Sequence, residues 1–150
     1  NELTKQPPEV TRIGCIDPVE SASDKLSAIA WRVLDRVRGS QHDDPALVRH
    51  IHDLAILKDL AQIYVNFPAL VAFSMLQDNN RPRNDPSLPG LPVTEKFQRM
   101  LHVLENDAAY AQEYDRFVKG VSYAAQGHTP DFANAIQAVR VLVNTASSLS

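Results

Sequence analysis

A residue that can cap a helix stands directly before a proline at Asp17-Pro18, at Asp44-Pro45 and at Thr129-Pro130. Asp or Thr at the N-cap accepts a hydrogen bond from an orphan backbone N–H, and proline suits the first helical turn, where its missing N–H costs nothing. Glu20 at the third helical position strengthens the first of these signals. The apolar residues that follow each signal recur at helical spacing, so the chain is committed to packing helix on helix.

The first helix is expected to run from Pro18 to about Arg38, with Leu26, Ile29, Ala30, Val33, Leu34 and Val37 facing inward and Gly39 ending it. The second carries Leu47, Ile51, Leu54 and Ala55. Pro68 opens a third, with Leu70, Val71, Phe73 and Leu76. Residues 79–92 are dense in turn formers and read as the main loop. Val93 to Leu104 is helical, with Phe97, Met100, Leu101 and Leu104 at core spacing. Another helix starts at Asp107 and reaches about Ala124, with Tyr110, Tyr114, Phe117, Val118 and Val121; Gly127 breaks the pattern. In the last helix Phe132, Ile136, Val139 and Val143 face inward, with Leu142 a marginal member. The expected fold class is therefore mainly all-α, a multi-helix bundle. Residues 1–16 are an extended lead-in and 17–150 a helical C-terminal domain. Within the lead-in, Val10–Ile16 reads as a single strand; a lone strand needs a partner, so its sheet is expected outside this chain.

Composition narrows the function classes. With 44% hydrophobic and 22% charged residues and a net charge of −3, the chain reads as an ordinary globular protein and not as one that coats nucleic acid non-specifically. The single cysteine, Cys15, excludes an internal disulfide and fits a reducing compartment, so a cytoplasmic location is expected. No stretch approaches the ~20 apolar residues of a membrane helix, and no membrane partner is expected. The first residue is Asn, which suggests a piece of something longer.

The charged residues form two groups. On a helical wheel Lys25, Arg32 and Arg36 share one arc beside the apolar face of the first helix. Such a column suits phosphate oxygens, or it is a solvated helix edge whose long stems cover apolar neighbours. On the second helix Arg49 and Asp53 stand at i, i+4 and can pair. Ile56 lies on the same side, and an apolar residue in a charged face suggests that the face meets something other than water. His50 and His52 point roughly 200° apart on a helix and cannot share a metal. No cluster has metal-ligand spacing. Cys15 and Trp31 read as packing residues, as do Tyr110, Tyr114 and Phe117.

The segments DPVESASDKLSAIAWRVLDR and DDPALVRHIHDLAIL resemble the downstream motifs of AbiEii/AbiGii-type nucleotidyltransferase toxins, and EYDRFVKGVSYAAQGHTPDFANAIQAVR resembles the C-terminal end of that group. The resemblance implies a nucleotide site completed by Lys25 and Asp53 as the catalytic pair, with Arg32, Arg49 and Arg36 as phosphate-binding companions. It also implies a nucleoside triphosphate with a divalent metal such as magnesium, a tRNA end as an acceptor used by some relatives, and an antitoxin as counterpart. One departure stands out. The family's Gly-Ser segment with closely spaced strand carboxylates is not found; Ser40 follows Gly39 in a loop, and Asp43-Asp44 caps a helix. The chain is thus expected to be a C-terminal portion that lacks its N-terminal nucleotidyltransferase half. Alone it should neither catalyse transfer nor hold metal or nucleotide tightly. The alternative is a non-catalytic helical interaction module that binds an antitoxin or itself as a homodimer.

Overall fold

A computed structural model describes residues 17–41, 43–80, 85–121 and 130–147. Among them there are six α-helices and no strand: α1 Pro18–Leu34, α2 Val48–Ile63, α3 Phe67–Asp78, α4 Val93–Asn106, α5 Ala108–Val121 and α6 Phe132–Ala146. The expected strand Val10–Ile16, and with it Cys15, lies outside the described residues, as do Gly127 and Thr129.

Local chemistry explains most of the boundaries. Asp17 accepts from the Val19 N–H at 2.8 Å and opens α1 with Pro18 in its first turn. Asp44 accepts from the Ala46 N–H at 3.0 Å, and the chain enters α2 through a 3₁₀ turn, Pro45–Leu47. The start of α6 is set by Asp131, which is the cap and accepts from the Asn134 N–H at 2.8 Å, one residue past Pro130.

α1 stops at Leu34, a full turn before the expected Arg38. The Asp35 N–H closes onto the Trp31 carbonyl, and the chain turns through Gly39 at φ 80°, a conformation that glycine adopts without steric cost. The early exit frees Arg36 and Arg38 from the helix, and both reach carboxylates elsewhere. It also leaves Val37 exposed, contrary to its expected core position.

One buried cluster draws on all six helices. α1 packs against α2, α3 and α4, while α2 also packs against α5 and α6. Leu26, Ile29, Ile51, Leu54, Phe97, Met100, Val139 and Leu142 are fully enclosed, as their helical spacing predicts. Each large apolar side chain so buried contributes roughly 1.5–3 kcal/mol. Trp31 is buried beneath the Lys96 ammonium, which sits 4.2 Å from its ring. Two polar ties join α1 to α3: Ser27 donates to Asp78 at 2.6 Å, and Ser74 donates to Asp24 at 2.7 Å. Tyr114 donates to the Pro130 carbonyl at 2.8 Å and meets Phe132 edge-on, which ties α5 to α6.

The reading of α3 needs correction. Phe73 and Leu76 are exposed, not core. The buried face of α3 is Phe67, Pro68, Val71, Ser74 and Met75; burying its three large apolar side chains outweighs the single Ser74–Asp24 bond that the same face makes. No helix among the described residues is long and apolar enough to cross a membrane.

Candidate functional site

α1 and α2 lie antiparallel, since Lys25 faces Asp53 and Arg32 faces Asp44. Their seam brings together four of the five residues singled out from the sequence. Lys25 Nζ is 3.0 Å from Asp53 Oδ2, with both side chains partly open to solvent. One helical turn and more away, Asp44 Oδ2 receives Arg32 Nη1 at 3.6 Å and Arg49 Nη1 at 3.5 Å. These are long contacts beside the ~2.7–2.9 Å of a tight charge-assisted bond. Partly exposed ion pairs of this kind contribute about 0–1 kcal/mol and open readily.

The expected Arg49–Asp53 pairing along α2 is not what forms. Asp53 is taken by Lys25, and its other oxygen lies 3.3 Å from His52 Nδ1; Arg49 turns back to Asp44 and the Ala46 carbonyl. An i, i+4 spacing permits a pair, but a cation on a neighbouring helix competes for the same carboxylate.

Arg36 stands apart from the seam. Its side chain is 4% exposed and held by Asp43 through Nε at 2.6 Å and by Glu113 at 2.8 and 2.9 Å. Arg38 adds a 2.8 Å bond to Glu113 and reaches Asp107, and the Tyr110 ring lies under both guanidiniums. The Glu113 bond above all holds the Arg36 guanidinium charged, outweighing its burial. Burial pushes the Glu113 carboxyl up, but the bonds from Arg36 and Arg38 win and hold it below its usual range. The cation column is therefore corrected to Lys25 and Arg32. Arg36 lies past the end of the helix, and its guanidinium is filled by the protein's own carboxylates.

Sequence reasoning passed over one residue at the seam. His50 is 9% exposed, and neither Nδ1 nor Nε2 has a hydrogen-bond partner. Desolvation, then the charges of Arg49, Lys25 and Arg32, push its pKa down to about 4 against the opposing pull of Asp53. It is a neutral imidazole set among cations, and an unsatisfied buried polar group costs ~1–3 kcal/mol. The signal was available: His50 falls on the same side of α2 as Leu47 and Leu54, which puts a titratable group in the core-facing stripe. His52 does point the other way, meeting Phe117 edge-on at 5.7 Å between ring centres.

Among the described residues no three of His, Cys, Asp or Glu converge to hold a metal. The two seam carboxylates are each engaged by cations, which is the wrong electrostatic setting for a divalent ion. Beyond Asp53, α2 carries Ile56, Leu60 and Ile63, all more than half exposed, along the same side of the helix.

The chain matches, over residues 1–138, the protein family described as "Nucleotidyl transferase AbiEii toxin, Type IV TA system". No curated protein and no solved structure matches it.

Proposed function

The chain belongs to the AbiEii nucleotidyl transferase toxin family, and from that premise we propose that the α1–α2 seam is the part of a nucleotidyltransferase site that holds the polyphosphate of a nucleoside triphosphate. The observation that carries this reading is the Lys25–Asp53 pair at 3.0 Å between two helices, with two further cations beside it. Lys25 places a compact positive charge where a phosphate oxygen can replace the carboxylate, and Asp53 keeps the ammonium in position until then. Arg32 and Arg49 already converge on one oxygen of Asp44, which is the geometry a phosphoryl oxygen would meet. Nucleotidyl transfer depends on neutralising and positioning phosphate charge more than on covalent chemistry, and this is work that such residues can do. A divalent metal such as magnesium belongs to this chemistry, but the seam offers it no ligand set, so the role of these residues is to hold and orient the nucleotide. The reading extends to a cytoplasmic location, where nucleoside triphosphates are found, to a tRNA end as acceptor class, and to an antitoxin as counterpart.

Lys25→Glu tests it. Affinity for a nucleoside triphosphate, measured by calorimetry, should fall more than about tenfold, since a hydrogen bond to a charged group is worth ~1.5–3 kcal/mol. The thermal transition should stay in place, and nucleotide transfer by the active protein should vanish. Unchanged affinity and transfer would sink the assignment.

The exposed stripe Ile56, Leu60 and Ile63 favours a second reading, in which this face binds another copy of the chain without chemistry. Light scattering decides it: a mass that stays monomeric with rising concentration removes that reading.

A further inference from the structure

We propose that His50 recognises the ribose of the nucleotide by hydrogen-bonding a ribose hydroxyl while the seam's cations hold the phosphates; this rests on the reading of the seam as a nucleotide site. Three observations lead there. His50 is enclosed and neither ring nitrogen has a hydrogen-bond partner within the protein. The register of α1 against α2, set by Lys25 on Asp53 and Arg32 on Asp44, puts His50 within the span between the two ion clusters, where Arg49, Lys25, Arg32 and Asp53 all act on it. Ala28 is half-buried and short, so α1 brings little side chain to that stretch of the seam.

Chemistry then selects the group. Burial first, and then the charges of Arg49, Lys25 and Arg32, hold the imidazole neutral. A neutral imidazole offers one N–H donor and one nitrogen acceptor. Phosphate oxygens of a triphosphate only accept, and three cations already serve them. A hydroxyl both donates and accepts, so it can serve whichever ring nitrogen it meets, in either tautomer. The ring nitrogens lie below the surface, so the hydroxyl reaches them only as the side chains around His50 shift on binding.

The test is calorimetry on the full chain with three probes: ATP, its 2′,3′-dideoxy analogue and inorganic tripolyphosphate. The unmodified chain should bind ATP about tenfold more tightly than the dideoxy analogue, the worth of one neutral hydrogen bond. His50→Leu should erase that preference and leave tripolyphosphate affinity unchanged. Equal affinity of the unmodified chain for ATP and the dideoxy analogue overturns the proposal without any variant. So does a His50→Leu protein that keeps the preference, or that loses tripolyphosphate as strongly as ATP. Lys25→Glu separates the layers. If it weakens all three probes while His50→Leu weakens none, His50 alone is misassigned. If it weakens none, or the unmodified chain binds none even at millimolar probe, the nucleotide site itself falls.

Discussion

Two charged assemblies draw on the same stretch of chain, residues 25–53, and they differ in how fully each cation is used. In the Arg36 network, two arginines face three carboxylates, Asp43, Glu113 and Asp107; Arg36, Asp43 and Glu113 are largely enclosed, with bonds mostly of 2.6–2.9 Å. In the α1–α2 seam, Lys25, Arg32 and Arg49 face two carboxylates, Asp53 and Asp44. Both arginine contacts there are 3.5 Å or longer, and all the side chains are a quarter or more exposed. In the first assembly the enclosed Arg36 guanidinium is already bonded to the protein's own carboxylates. The second has a surplus cation and partners that are easily displaced. Arginine next to acid in a sequence describes both equally well; enclosure and distance separate a fold anchor from a ligand site.

The sharpest way to break this comparison is to remove one arginine from each side. Arg36→Ala leaves Asp43 and Glu113 without their main partner, and losing one member of a buried pair costs about 3–5 kcal/mol. Urea unfolding should show that loss, and a loss under ~1 kcal/mol would mean the network is not an anchor.

The next largest effect concerns pH. The His50 pKa is about 4 in the folded chain, below its ordinary 6.5, so the unfolded chain takes up the proton first as pH falls. Stability is therefore full above pH 6.5 and is lost progressively down to about 4, roughly 3 kcal/mol in all at ~1.4 kcal/mol per pH unit. The facing charges are Arg49, Lys25 and Arg32, which hold the proton off, and Asp53, which works against them. Glu113 and Asp43 are held below their ordinary range and thus protect the fold at higher pH, and their share is lost only as pH falls through the acidic carboxylate range. His50→Leu should flatten the upper limb of the pH–stability curve and leave the lower limb in place. An unaltered upper limb would move the titration elsewhere.

The smallest effect on stability belongs to Arg32→Ala, within ~1 kcal/mol, because its ion pair is exposed and long. Its effect on triphosphate affinity should be several-fold and should shrink at high salt, as screening weakens the exposed cations. A variant that loses stability but not affinity would exchange the roles of Arg32 and Arg36.

Most of the helices were legible because their signals are local. Asp17-Pro18 and Asp44-Pro45 cap where they stand, and Phe97, Met100, Leu101 and Leu104 are buried where helical spacing places them. The failures came where tertiary packing or a distant group competed. Phe73 and Leu76 turned outward because Phe67, Val71 and Met75 take the face that packs on the core, and Asp53 paired across the seam instead of along its own helix. Arg36 left its column because α1 stopped at Leu34 and Glu113, far along the chain, was there to receive it.

By itself, then, the sequence determined that the chain is helical, where most helices begin, which stripes are apolar, and which family it belongs to. All of these depend on residues within a few positions of one another or on the pattern of the chain as a whole. Only the tertiary structure decided which cations are used up, which carboxylate each one meets, and that His50 is enclosed without a partner. Coulomb energy and desolvation depend on distance and on access to water, and neither is encoded in the spacing of residues along one helix.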